Sequence, residues 1–179
     1  MRIISGKYKS RRIKVSPDLK ARPTTDFAKE GIFDILNNLL DWEATTALDL
    51  FSGTGSIALE MVSRGCPRVV SVEISGNHYD FIVKTKETLA ANELFPIRAD
   101  VFKFIASCNE KFDLIFADPP YDLPGIDTIP TFIIEKNLLK PEGIFIMEHS
   151  DKHRFSHLPF FKEERKYGRV HFSIFENKK

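Results

Sequence analysis

Two hydrophobic rhythms alternate along this chain. Compact apolar runs recur at residues 47–51, 68–73, 95–99, 112–117 and 144–148, and most of the segments between them space their apolar positions three and four residues apart. Short continuous runs bounded by turn residues read as buried strands, and the wider spacing reads as helix. The pattern predicts helices over 56–64, 77–91, about 101–106, and from Pro130 to about residue 137. An earlier helix is expected over about 25–40: Thr24, Thr25 and Asp26 suit its start, and Ile32, Ile35, Leu36, Leu39 and Leu40 share one face. Two late strands, near 161–167 and 169–175, meet at Gly168.

Strands separated by helices require parallel pairing with helices on both faces. The last two strands lie too close for a helical crossover and should form an antiparallel hairpin. The expected fold class is therefore α/β: a mostly parallel, seven-stranded, doubly wound sheet ending in that hairpin. A small β element is expected at the amino end, from residues 2–5 and 11–15 around Ser5-Gly6-Lys7. A turn is expected at Lys140-Pro141-Glu142-Gly143, just before the fifth strand.

Charge divides the chain further. Residues 1–22 hold eight Lys or Arg against one acid, and residues 152–179 hold eight against three, yet the whole chain is only +1. Two basic ends thus flank an acidic body, which points to a polyanion surface built from both termini. We divide the chain into a basic extension over 1–22 and a main domain over 23–179. Its 179 residues suit one such domain, and no apolar run reaches membrane-spanning length. The opening Met1-Arg2-Ile3-Ile4-Ser5-Gly6 is not read as a secretory signal, so Cys66 and Cys108 are expected as reduced thiols of a cytoplasmic protein. No metal site is expected: His149, His153, Glu148 and Asp151 meet no known ligand spacing and are read as a solvated loop.

Leu48-Asp49-Leu50-Phe51-Ser52-Gly53-Thr54-Gly55 runs from strand into glycine turn into helix, where a ligand can approach the main chain closely. Glu73 stands 18 residues after Gly55, at the end of the second strand, placed to accept hydrogen bonds from ribose hydroxyls. Asp100, after the third strand, suits either an adenine amino group or a helix cap, and Asp49 suits the ammonium of a methionine moiety. Phe51, Ile74 and Val101, adjoining these positions, complete the expected cofactor set with Gly53, Gly55 and Asp118. This half of the pattern fits a nicotinamide dehydrogenase as well as a methyltransferase.

The discriminating motif is Asp118-Pro119-Pro120-Tyr121, at the end of the fourth strand and 63 residues after Gly55. Two prolines stiffen the backbone, so that the Asp118 side chain and the Pro119 carbonyl are fixed acceptors. Two convergent acceptors take both protons of a planar NH2 group and free its nitrogen lone pair. Tyr121 offers a ring on which a flipped base stacks. These four residues are the catalytic candidates. A base-carbon enzyme would want a positioned thiolate, and neither Cys66 nor Cys108 adjoins the motif. A dehydrogenase has no use for such an acceptor pair.

With these residues in place, the chain resembles the bacterial 16S rRNA guanine-N2 methyltransferases. The similarity rests on Met1-Arg2-Ile3-Ile4-Ser5-Gly6, Arg11-Arg12, Arg22-Pro23-Thr24-Thr25-Asp26, the glycine turn, Asp118-Pro119-Pro120-Tyr121 and Tyr167-Gly168. The resemblance implies a Rossmann-like methyltransferase fold, S-adenosyl-L-methionine as cofactor, and guanine N2 of 16S rRNA in a partly assembled 30S subunit as target. It also implies an amino-terminal hairpin that docks on RNA through Lys7, Lys9, Arg11 and Arg12, with Arg22 and Thr24 near the target base. A monomer is expected. Two other readings stay open: an N6-adenine methyltransferase, and a non-catalytic RNA-binding module. Ser10 stands where the family often has Gly, while Phe27 and Gly31 replace a common Arg and Ala. Gly31 should weaken its helix by about 0.5–1 kcal/mol.

Overall fold

The computed structural model describes residues 1–19 and 25–178. Helix α1 spans Asp26–Asn37; the Thr25 hydroxyl caps it by accepting from the Ala28 amide, and Ala28, Ile32, Phe33 and Leu36 form its buried face. The alternation then proceeds as β1 (Thr46–Leu50), α2 (Ser56–Arg64), β2 (Arg68–Glu73), α3 (Gly76–Leu89), β3 (Leu94–Arg98), α4 (Val101–Ser107), β4 (Phe112–Ala117), α5 (Ile129–Glu135) and β5 (Leu139–His149). Strands β6 (Phe161–Tyr167) and β7 (Val170–Glu176) close the chain. Short 3-10 turns at Trp42–Ala44 and Ile126–Thr128 were not expected from the pattern.

All seven strands form one sheet in the order β3-β2-β1-β4-β5-β7-β6. The first five pair in parallel, and β7 lies antiparallel between β5 and β6. The chain winds outward from β1 to β3 and then returns to β4 on the other side of β1. The carboxyl ends of β1 and β4 therefore adjoin where the winding reverses, the place where open α/β sheets hold ligands.

Both faces of the sheet are covered, which explains why the strands read as continuous apolar runs. One core gathers Phe33, Leu36, Leu59, Met61, Phe116 and Phe172, and the other Ile105, Ile129, Ile133, Phe145, Phe155 and Phe175.

The amino-terminal segment differs from a regular hairpin. One antiparallel bridge, Arg2 with Arg12, replaces the two expected strands. What holds the segment is α2. The Glu60 carboxylate accepts from the Ile4 and Ser5 amides at 2.8 and 3.0 Å, and the Ser63 hydroxyl accepts from the Tyr8 amide at 2.9 Å. Glu60 is fully buried and is also paired with Lys29 at 3.2 Å and Arg64 at 2.9 Å. Ile3 and Tyr8 join the core beneath. Ser10, where the family pattern has Gly, adopts a left-handed φ of +65°.

Two further expectations are corrected. Lys140-Pro141-Glu142-Gly143 is no separate turn: it lies within β5 as an irregularity, between the Phe112–Leu139 and Leu114–Ile144 pairs, with Glu142 at φ +60°. The solvated loop expected around His149 begins only beyond β5, where Asp151 is exposed in a turn and His153 is half-buried. Glu148 and His149 are buried on β5, and the His149 ring sits 2.8 Å from both the Ser150 carbonyl and the Ser173 hydroxyl. Burial lowers the His149 pKa. Among the described residues, no group of His, Cys, Asp and Glu is placed to hold a metal ion.

Candidate active site

Where β1 and β4 end, a cavity of about 740 Å³ opens. It is lined by most of the expected cofactor residues (Asp49, Phe51, Gly53, Glu73 and Ile74) and by all four residues of Asp118-Pro119-Pro120-Tyr121. The path from β1 into α2 makes left-handed excursions at three alternate residues, with Phe51 at φ +62°, Gly53 at +53° and Gly55 at +77°. For Phe51 this is a strained conformation of the kind found beside functional sites. A Cβ at Gly53 would meet no atom within 4 Å, so the main chain there faces open space.

The acids have different supports. Asp49 is 1% exposed and accepts from the Ala58 amide near the start of α2 at 3.1 Å. Burial, augmented by the charges of Asp118 and Glu73, pushes its pKa up to about 8. Glu73 bridges two loops: one oxygen accepts from the Gly53 amide at 2.7 Å and the other from the Ser75 amide at 2.8 Å. Each oxygen keeps a second lone pair for a hydroxyl. Asp118 is half-buried beyond β4, with Pro119 buried behind it and the Asp118 amide 3.4 Å from the Leu50 carbonyl of β1. Ile74 stands 62% exposed on the cavity wall.

This lining fits S-adenosylmethionine better than a dinucleotide. Asp49, Glu73 and Asp118 line one space, and burial drives the Asp49 carboxyl towards its neutral form. A ligand bearing an ammonium and a sulfonium relieves that cost, whereas a pyrophosphate adds to it.

The other expected residues lie apart. Asp100 caps α4, accepting from the Lys103 amide at 3.0 Å, and neither it nor the buried Val101 lines the cavity. Lys7 is exposed but paired with Glu93. Lys9, Arg11 and Arg12 are exposed on the bridged amino-terminal segment. Arg22 and Thr24 fall outside the described residues. The thiols are poor nucleophiles: burial pushes the Cys66 pKa up to about 12, and burial also raises that of Cys108.

Several lining residues escaped the sequence reading. Arg2 and Asp26, 3.6 Å apart, reach the cavity from the amino-terminal segment and from α1. Their roles depend on tertiary docking that no local motif encodes. His78, five residues after Glu73, also lines the wall, its Nδ1 3.9 Å from a Glu73 oxygen. Its place in the first turn of α3, just after the strand that ends at Glu73, was the available signal.

Comparison with known proteins agrees with this architecture. A family model described as conserved hypothetical protein 95 matches residues 1–176. A protein of Buchnera aphidicola named ribosomal RNA small subunit methyltransferase D is 29% identical over 181 residues, covering 99% of this chain and 92% of its own. The solved yhhF protein of Escherichia coli aligns with a TM-score of 0.87 at 23% identity, covering 99% of this chain and 98% of that one. A 16S rRNA N2 G1207 methyltransferase of Thermus thermophilus, solved with AdoMet and guanosine, aligns with a TM-score of 0.70 at 21% identity, over 88% of this chain and 45% of that one. With the family model spanning nearly its whole length, and with the cavity and acids that this chemistry requires, the chain belongs to the conserved hypothetical protein 95 family, a family of S-adenosylmethionine-dependent methyltransferases.

Proposed function

We propose that this protein transfers a methyl group from S-adenosyl-L-methionine to the exocyclic N2 amino group of a guanine in 16S rRNA. One observation carries the reading: Asp118, stiffened by two prolines, lines the same cavity as the ammonium-compatible Asp49 and the ribose-compatible Glu73. The activities named for the Buchnera relative and the Thermus neighbour support small-subunit rRNA and guanine N2 respectively.

Bound in this cavity, the cofactor supplies a methyl group already activated on a sulfonium. The protein supplies position. Asp49 neutralises the ammonium, Glu73 accepts from the ribose, and Ile74 packs against the adenine. Asp118 and the Pro119 carbonyl would accept hydrogen bonds from both N–H groups of the target NH2, leaving its lone pair free to face the methyl donor. Alignment of this kind is worth about 7–11 kcal/mol in favourable systems. Asp118 need not be a strong base, since the nitrogen becomes acidic only after it has gained the methyl group. The enzyme acts as a monomer in the cytoplasm, on a partly assembled 30S subunit; no helix among the described residues is long and apolar enough to cross a membrane.

The test is transfer from labelled S-adenosylmethionine to small-subunit particles from cells lacking the protein, with mass mapping of the product. N2-methylguanine in 16S rRNA, abolished by Asp118→Ala, is expected. N6-methyladenine would retain the mechanism and overturn the substrate. Tight RNA binding without calorimetric binding of S-adenosylhomocysteine would establish a non-catalytic module instead.

A further inference from the structure

Phe27 is the most exposed large apolar side chain among the described residues, at 70%. A single exposed apolar residue is ordinary. This one is set apart by what fixes it. Its ring stands perpendicular to Tyr167, with centroids 5.7 Å apart and planes at 79°. Tyr167 packs in turn on Phe172, fully buried in the core, with centroids 5.9 Å apart. Tyr167 also lies over Gly31, where a Cβ would come 2.2 Å from its Cε1 atom. A glycine that weakens α1 thus provides the seat for Tyr167, and Tyr167 fixes Phe27. Both departures from the family pattern in this helix belong to one device, which holds an aromatic ring rigidly in water.

The surroundings indicate what the ring meets. Asp26, next to Phe27 in the chain, lines the cofactor cavity together with Arg2, so Phe27 lies one residue along α1 from a cavity-lining position. Arg2 is bridged to the exposed Arg12. Exposed Lys166 and Arg169 flank Tyr167 and Gly168 in the turn from β6 to β7. An exposed ring seated edge-on against Tyr167, with exposed cations on the neighbouring amino-terminal segment and the β6–β7 turn, has the ingredients of single-stranded nucleic-acid platforms, where bases stack and phosphates pair.

We infer that Phe27 is a stacking platform for an unpaired nucleotide flanking the methylated base, held by Tyr167 and Gly31. The inference rests on the rRNA reading above. Any base has a π-face, so this contact contributes affinity and register without reading sequence.

The experiment compares wild type with Phe27→Leu and Phe27→Trp. It measures the Kd for protein-free 16S rRNA and for 30S particles, the KM and kcat, and calorimetric affinity for S-adenosylhomocysteine. Phe27→Leu should raise the RNA Kd and KM about tenfold, leaving cofactor affinity and the salt dependence of RNA binding unchanged. Phe27→Trp should restore the affinity. Wild-type RNA affinity in Phe27→Leu overturns the inference. So does a loss seen only with protein-containing particles, which makes this face a protein contact, or a parallel loss of cofactor affinity, which makes the ring structural. A wild-type protein without RNA affinity overturns the rRNA reading as well, whereas intact wild-type activity with an indifferent Phe27→Leu overturns this inference alone.

Discussion

The Tyr121 hydroxyl donates a hydrogen bond to the buried carboxyl group of Glu148 at 3.1 Å, joining the Asp-Pro-Pro-Tyr loop to the end of β5. Ring and loop therefore take part of their orientation from a neighbouring strand. Tyr121→Phe, which removes this bond and keeps the ring, should lower kcat/KM about three- to tenfold. Tyr121→Ala should cost about a further tenfold through lost stacking. Glu148→Leu, which removes the acceptor, combined with Tyr121→Phe should cost less than the product of the single effects, because both remove one interaction. Steady-state kinetics on small-subunit particles measures all of these, and multiplicative effects would refute the coupling.

On the proposed reading, with Asp49 facing the cofactor's ammonium, cofactor binding should depend on pH. In the free protein its carboxyl is neutral up to about pH 8. An arriving ammonium favours the carboxylate and lowers that pKa, so binding releases a proton. Affinity for S-adenosylhomocysteine should rise with pH, approaching about tenfold per unit below 8, and level off above it. Asp49→Asn should bind more weakly with a flat profile. Calorimetry at neutral pH in buffers of different ionisation enthalpy would reveal the released proton.

The same residue affects stability. Below its ordinary value of 3.8, Asp49 is protonated in both the folded and unfolded chain; between there and about 8 only the folded chain holds the proton. Its contribution to stability is thus fully present at low pH and is lost as pH rises through 8. Asp49→Asn should flatten this part of the stability profile in urea titrations across that window.

Two departures from the family pattern carry opposite expectations. Ser10 holds a left-handed φ of +65°, so Ser10→Gly should stabilise by about 1 kcal/mol. Gly31→Ala improves helix propensity by about 0.5–1 kcal/mol but drives a methyl into the Tyr167 ring, an overpacking that costs about 1–3 kcal/mol. The net effect should be a lower Tm, and removing the ring in Tyr167→Ala should reverse the sign of Gly31→Ala. Calorimetric melting of the four proteins checks the cycle.

Glu60→Ala leaves Lys29 buried without its carboxylate, with Arg64 losing its partner beside it, and deprives the Ile4 and Ser5 amides of their acceptor. Breaking such a buried pair costs about 3–5 kcal/mol. Hydrogen exchange should show residues 1–13 losing protection before the sheet does.

The elements with a strong local period were the most legible. The segments 56–64, 68–73 and 112–117 coincide with α2, β2 and β4, because each is bounded by a turn and is buried as its apolar composition declares, while 161–167 coincides with the edge strand β6 because Gly168 marks its end. The start of β5 was missed because Pro141 and Gly143 signal a turn, while the pairing of Leu139 with Phe112 draws the segment into the sheet. The Asp118 loop and Glu73 could be placed because strand ends share one edge of such a fold. Arg2, Asp26 and the buried Glu60 could not be. An acid within a helix reads as a solvated charge until the segment that covers it is positioned, and that segment lies 55 or more residues away in the chain.

Helix α2 begins at the glycine turn that borders the cofactor cavity and, one turn later, grips the arginine-bearing amino-terminal segment through Glu60 and Ser63. A single helix therefore sets the spacing between the exposed arginines of that segment and the cavity. On the proposed reading, such a ruler would select a substrate by how far its reactive base projects from its backbone, before any base edge has been read.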